Sequence, residues 1–124
     1  MGKWINLTAG FLIGGFARYF VSTWVYQVAG TEFPYGTLAV NVTGCFLVGL
    51  FDALAEGRFA LGPEARLLLM TGFCGAYTTF SSLILESSHL VRDGQTARAL
   101  TNFIASGIIG FILFRLGMAA GLAL

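Results

Sequence analysis

Apolar residues dominate four long segments of the chain, separated by short stretches that contain Pro34, Pro63 and Gly94. The four segments lie at about 4–28, 34–55, 64–90 and 96–122. Each has the roughly 20 residues that an α-helix needs to cross a bilayer at about 1.5 Å per residue. The pattern predicts an all-α membrane protein in which residues 1–124 form a single transmembrane domain of four helices.

The third segment contains a polar cluster at its centre, where glycines, threonines, serines and a tyrosine interrupt the apolar run over residues 72–82. On a helix that faces lipid, these polar groups would have no hydrogen-bond partners. Irregular backbone persists at membrane depth only when protein buries it or when it lines a polar cavity. The cluster therefore predicts a break in helix three that lines a transport pathway.

Polar side chains also align on the faces of neighbouring helices. Those that matter here are Thr37, Asn41, Thr79, Ser81, Ser82, Asn102 and Ser106. Residues three or four apart on a helix share a face. Each side chain either ties two helices together by hydrogen bonds or lines an ion path. Asn41 favours the path, because an amide offers two donors and an acceptor, more than one interhelical bond uses.

Composition narrows the class of protein. Hydrophobic residues make up 56% of the chain and charged residues 10%, whereas soluble domains carry about 25% charged residues. A net charge of +1 gives no case for binding nucleic acid. One histidine and two cysteines in apolar segments form no metal-binding spacing. Without an acid–base dyad or an activated nucleophile, the chain is not expected to be an enzyme.

Basic residues near the helix ends are almost evenly divided between the two sides of the membrane. One predicted side carries Lys3, Arg58, Arg66 and Arg115, and the other carries Arg18, Arg92 and Arg98. Four against three is too small a bias to fix one orientation. Insertion in both orientations would allow an antiparallel homodimer with a two-fold axis in the membrane plane. A second copy is also expected because four short helices hardly enclose a solvated pore.

The polar residues suit a small anion. Hydroxyl and amide groups donate hydrogen bonds, and a fixed cation at mid-span would hold the anion too tightly for it to leave. Arg18, near the end of helix one, is either a snorkelling residue or part of an electropositive vestibule. The positive ring edge of Phe80 could touch an anion in the pore. Glu86 is interpreted as a solvated acid at a helix end, with a gate or proton site as the alternative.

Three blocks carry a family resemblance: GGFARY at 14–19, GTLAVNVTGCF at 36–46 and GFCGAYTTFS at 72–81. On these blocks, and in its length and four-helix plan, the whole chain resembles the Fluc (CrcB) fluoride channels of bacteria. The resemblance implies a passive fluoride channel of the bacterial inner membrane. It further implies an antiparallel dual-topology homodimer with two pores, each lined by both subunits.

The resemblance also implies roles for individual residues. The fluoride pore would include Asn41, Phe80, Ser81, Thr37, Leu83, Thr79, Ser82, Asn102 and Ser106. The assignments of Asn102 and Ser106 are the weakest of these, since no motif fixes the register of helix four. Arg18 matches the family's vestibule arginine. Gly75 and Thr78 match positions whose backbone carbonyls bind a central structural Na⁺ at the dimer axis.

One position departs from the family's pattern. The family usually has a second phenylalanine three residues after Phe80, and this chain has Leu83 there. Leucine keeps the bulk but lacks the aromatic edge, so we expect assembly to persist and anion passage to slow. Two other classes compete: a four-helix dual-topology multidrug or cation exporter, which needs a carboxylate within helix one, and a non-transporting membrane scaffold. Helix one carries no acidic residue.

Overall fold

A computed structural model describes residues 1–57 and 60–124, and this part of the chain is helical with no β-strand. The helices are α1 (Gly2–Ala29), α2 (Tyr35–Glu56), α3 (Pro63–Arg66), α4 (Gly75–Tyr77), α5 (Phe80–Arg92) and α6 (Thr96–Ala123). A π-helical segment, Leu67–Cys74, joins α3 to α4. The all-α expectation is confirmed. Arg58, which entered the charge count, lies outside the described residues.

Three helical segments of the described chain are long and apolar enough to cross a membrane. They are Tyr35–Glu56, Pro63–Arg92 and Thr96–Ala123. The first helix, α1, has 28 residues but carries Lys3, Asn6 and Arg18, and it is not one of these three. The protein is therefore a multi-pass membrane protein, and a fourth span through α1 stays a prediction.

Close helix packing depends on glycine. α2 packs along α6, and a Cβ atom on Gly117 would overlap the carbonyl oxygen of Phe46. α1 packs along the π-helical segment, where a Cβ atom on Gly14 would overlap the carbonyl oxygen of Phe73. Small residues let helix backbones approach in this way in a membrane, where lipid provides no hydrophobic drive for association.

Large apolar side chains cover the outer faces of α1 and α6. Examples on α1 are Phe16 and Trp24, and examples on α6 are Ile108 and Phe111, all of them exposed. Small and medium-sized side chains supply most of the buried apolar interior. An apolar patch of this extent marks a surface that contacts lipid or another protein.

Candidate functional site

The break in helix three falls at Thr78 and Thr79, within the polar cluster of residues 72–82. Both residues are extended, with φ −87° and ψ 157° at Thr78 and φ −150° and ψ 113° at Thr79. α4 ends before them and α5 begins after them. Extended residues cannot continue the ladder of helix hydrogen bonds, so backbone groups around the break need other partners. The structure thus confirms the predicted break and locates it.

Asn41 on α2 holds the break. Its Nδ2 atom donates to the carbonyl oxygen of Thr79 at 3.0 Å, and the Thr79 N–H donates to Asn41 Oδ1 at 2.7 Å. The side chain therefore imitates a backbone strand partner for one extended residue. Only one N–H donor of the amide is left for a ligand. Asn41 thus ties helices together and still retains a donor toward the cavity beside it.

The hydroxyl of Thr79 caps α5. Thr79 Oγ1 accepts from the Ser82 N–H at 3.2 Å and lies 3.1 Å from Ser82 Oγ and 3.3 Å from Ser81 Oγ. This arrangement satisfies one of the N–H groups that a helix leaves free at its start. It also gathers three predicted pore hydroxyls at the positive end of the α5 dipole, a favourable place for negative charge.

A groove of about 450 Å³ lies beside the break, and it is named here the break groove. It is lined by Asn41, Cys45, Val48, Thr78, Thr79, Phe80, Leu83, Phe103, Ser106, Gly107 and Phe114. Phe80 is 72% exposed, whereas Leu83 is 7% exposed. The groove brings together five of the predicted pore residues, from α2, α5, α6 and the break itself.

Thr37 lies apart from the break groove, in a cluster with Tyr26 and Glu86. Thr37 Oγ1 donates to Glu86 Oε1 at 2.5 Å, and the Tyr26 hydroxyl donates to Glu86 Oε2 at 2.9 Å. Thr37 is buried, and the other two residues are half-buried. The expectation that Glu86 is merely solvated is therefore wrong, because two hydroxyl donors from other helices hold its carboxylate.

The Glu86 cluster borders a second cavity, of about 690 Å³, near the ends of α1, α2, α5 and α6. Charged and polar residues line it, including Glu32, His89, Asp93 and Arg98. Five predicted pore residues thus line the break groove, and Thr37 is joined to the second cavity through its bond to Glu86. Ser81, Ser82 and Asn102 line neither cavity.

Asn102 and Ser106 lie one turn apart on α6. Asn102 is fully buried and donates to Ser87 Oγ at 2.9 Å. Within the described residues, Asn102 Oδ1 and Ser106 Oγ are buried atoms with no hydrogen-bond partner. Ser106 lines the break groove and Asn102 does not. A buried polar atom without a partner is costly, so these two atoms are suited to receive water or an ion.

Arg18 is half-buried on α1. Among residues 1–57 and 60–124 it takes part in no ion pair or hydrogen bond. It does not line either of the two cavities described above. Its predicted vestibule role is neither supported nor contradicted by this placement.

The carbonyl oxygen of Thr78 accepts no hydrogen bond from the described part of the chain, and the Thr79 N–H that would bond the Gly75 carbonyl in a continuous α-helix donates to Asn41 instead. Gly75 is also exposed at the protein surface. Freed carbonyls at a helix break are hard oxygen donors of the kind that coordinate Na⁺. The two predicted ligand positions thus have the chemistry that a sodium site requires.

Two partners in these clusters were missed at the sequence level, Tyr26 and Ser87. Tyr26 lies near the end of α1, where a phenol commonly keeps its hydroxyl in a polar environment. Ser87 follows Glu86 in the last turns of helix three. Neither residue belongs to a polar stripe, so periodicity gave no reason to single them out.

The helices and the groove beside the break define the class as a multi-pass membrane protein built around a broken helix. A family model described as "CrcB-like protein, Camphor Resistance (CrcB)" matches residues 5–118. The chain belongs to the CrcB family.

Curated relatives match nearly the full length. The chain is 43% identical over 119 residues to the fluoride-specific ion channel FluC of Acidobacterium capsulatum. This match covers 96% of this chain and 95% of that protein. It is 42% identical over 121 residues to the fluoride-specific ion channel FluC of Maridesulfovibrio salexigens, with 98% and 96% covered. The protein of that name from Chlorobium phaeobacteroides is 47% identical over 105 residues, 85% of this chain and 80% of its own. These names confirm the family resemblance and the expectation of a non-enzymatic protein.

Proposed function

We propose that this protein is a passive, fluoride-selective channel that exports fluoride from the cytoplasm across the bacterial inner membrane. The observation that carries the proposal is the break groove, where Asn41, Phe80 and Ser106 meet beside a helix break. Relatives that match most of the chain are named as fluoride-specific ion channels, which supports the choice of ion.

The groove offers the chemistry that fluoride needs. A small anion gives up its water only where other donors replace it. Asn41 has one N–H to give, Ser106 has a buried hydroxyl without a partner, and the edge of Phe80 carries partial positive charge. No lysine or arginine lines the groove within the described chain, so nothing would trap the ion there.

Thr37 is part of the proposed path, but its hydroxyl proton is already hydrogen-bonded to Glu86. Toward any other ligand Thr37 therefore offers only lone pairs. It can donate to fluoride when Glu86 is displaced. Of the proposed pore residues, Asn41, Phe80 and Ser106 have the strongest support, while Ser81, Ser82 and Thr79 form the cap beside them.

We further propose an antiparallel dual-topology homodimer with two pores. Phe80 is largely exposed in a single subunit, so the break groove has an open side that a second copy could close. The nearly balanced basic residues favour insertion in both orientations. An antiparallel pair has a two-fold axis in the membrane plane, which makes the two grooves equivalent.

A structural Na⁺ is proposed on the axis of this dimer. The carbonyls of Gly75 and Thr78 would hold it, with the same two oxygens coming from each subunit. Such an ion would supply electrostatic stabilisation between the two broken helices.

The alternative, a small multidrug or cation exporter, has no observation in its favour. That class needs a carboxylate within the first helix, and α1 contains neither aspartate nor glutamate. The acid that the structure does place among the helices, Glu86, lies on α5 and is held by two hydroxyl donors.

Growth of a bacterial strain that lacks its own fluoride exporters tests the proposal. Expression of this chain should restore growth in fluoride. Ser106→Ala removes a groove hydroxyl and should weaken the rescue, whereas Ser88→Ala, at an exposed serine of α5, should not. A lack of rescue by protein that is present in the membrane at normal levels would contradict the proposal.

A further inference from the structure

Asn41 on α2 makes both of its hydrogen bonds to Thr79, one of the two extended residues of the break. We infer that Asn41 is a positioning residue for the sodium site. It frees the carbonyl of Gly75, aims the carbonyl of Thr78, and so links the cation site to the anion groove through one peptide. This inference rests on the proposed function, from which it takes the sodium site.

The first step concerns Gly75. In a continuous α-helix, the N–H of Thr79 would donate to the carbonyl four residues earlier, which is that of Gly75. Here the Thr79 N–H donates to Asn41 Oδ1 at 2.7 Å instead. By taking this donor, Asn41 leaves the Gly75 oxygen without its helix partner. A carbonyl without its α-helical donor can turn a lone pair toward a cation.

The second step concerns Thr78. The described chain has no cis peptide bond, and in a trans peptide the C=O and N–H groups point in opposite directions within one plane. The N–H of Thr79 points at Asn41 on α2. The carbonyl of Thr78, which belongs to the same peptide, must therefore point away from α2.

The remaining polar groups of Thr78 are already bonded. Its N–H and its hydroxyl both donate to the carbonyl oxygen of Cys74, at 3.1 Å and 2.9 Å. Its methyl group occupies the space where a side chain on Gly44 would lie, so α2 holds the residue from one side. The carbonyl oxygen is the one backbone group of Thr78 left for an outside ligand in the described structure, and the hydroxyl oxygen keeps lone pairs of its own.

The same amide lines the break groove with Phe80 and Ser106. The peptide between Thr78 and Thr79 thus connects the two proposed sites. The Thr78 carbonyl faces the cation site, and the Asn41 side chain that binds the Thr79 N–H borders the anion path. Fluoride bound to the remaining Asn41 N–H would act on the orientation of this peptide. Coupling between two binding sites is reciprocal, so fluoride and Na⁺ should each change the affinity for the other.

Thermal unfolding of the detergent-solubilised protein measures the role of Asn41 without relying on transport. Na⁺ is varied at constant ionic strength against N-methylglucamine, and the concentration that gives half of the full stabilisation is determined. An ion that binds only the folded protein stabilises it by mass action. Asn41→Ala should raise this concentration by about 10-fold or more, the usual effect of losing a group that orients metal ligands.

Two further variants sharpen the result. Asn41→Asp keeps an oxygen acceptor for the Thr79 N–H and should stay within about threefold of the unmodified protein, below the usual loss for an orienting group. Asn102→Ala removes another buried membrane amide, one that bonds Ser87 and not the break. It should lower the unfolding temperature and leave the half-stabilising Na⁺ concentration unchanged.

An Asn41→Ala protein with an unchanged half-stabilising Na⁺ concentration would overturn the inference. If that variant does not fold at any Na⁺ concentration, Asn41→Ser takes its place, and an unchanged value for Asn41→Ser overturns the inference equally. Absence of any Na⁺ effect on the unmodified protein, with fluoride flux intact, would refute the sodium site and this inference but leave the channel standing. Loss of fluoride flux with the Na⁺ effect intact would refute only the channel.

Discussion

Asn41, Thr37 and Glu86 illustrate what can be predicted for a single residue. Composition and spacing identify Asn41 and Thr37 as polar residues on one face of α2. They do not give the partners, because Thr79 and Glu86 lie 38 and 49 residues further along the chain. For the same reason Glu86 was interpreted as a solvated acid, although hydroxyls from α1 and α2 bind its carboxylate.

The Thr37–Glu86 bond gives a prediction about stability. Thr37→Val keeps the shape of the side chain but removes a donor to a carboxylate. It should lower the free energy of unfolding in detergent by about 1–3 kcal/mol. Thr101→Val is the matched control, since Thr101 is exposed on α6 and its hydroxyl bonds only the carbonyl of Ala97. Equal effects of the two substitutions would contradict the assigned bond.

Leu83 gives a prediction about transport. It is almost fully buried against the break groove, at the position where the family usually has a second phenylalanine. Leu83→Phe should speed fluoride efflux from liposomes by about two- to tenfold, the kinetic equivalent of the roughly 0.5–1.5 kcal/mol that an aromatic edge contributes. Leu83→Met, similar in size but without a ring, should not. An unchanged rate for the phenylalanine variant would refute a role for the ring.

At the scale of elements, the broken helix shows both the reach and the limit of sequence reasoning. The glycines and hydroxyl residues of the polar cluster predicted the break, since such residues tolerate or cap irregular backbone. They did not predict the π-helical segment Leu67–Cys74 that precedes it. That segment packs on α1 through Gly10 and Gly14, so it depends on contacts between helices that no local pattern contains.

The close contact between α2 and α6 leads to a second prediction about stability. Gly117→Ala would push a methyl group into the carbonyl of Phe46 and should cost about 1–3 kcal/mol of folding free energy, as overpacking typically does. Gly107→Ala lies on the same helix, where an added Cβ meets nothing within 4 Å, and it should leave stability unchanged or raise it by up to about 1 kcal/mol, because alanine favours a helix over glycine. The comparison is made by unfolding in detergent. Equal stability of the two variants would contradict the close approach of α2 and α6.

At the scale of the whole molecule, the open side of the break groove is where the proposed second copy would pack. The sequence predicted a second copy from the near balance of basic residues, and a single chain does not test that prediction. A direct test labels a cysteine added after Leu124 with a membrane-impermeant reagent in intact cells. Dual topology predicts that about half of the protein reacts. Complete labelling or complete protection would contradict it.

Ion efflux from liposomes that contain the purified protein tests the central claim most directly. Fluoride and chloride release are recorded with ion-selective electrodes from vesicles of the same preparation, with protein-free vesicles as the control for leakage. A fluoride channel should release fluoride rapidly while chloride stays inside. Equal release of chloride, or no release of fluoride by either the unmodified protein or the Leu83→Phe variant, would contradict the account.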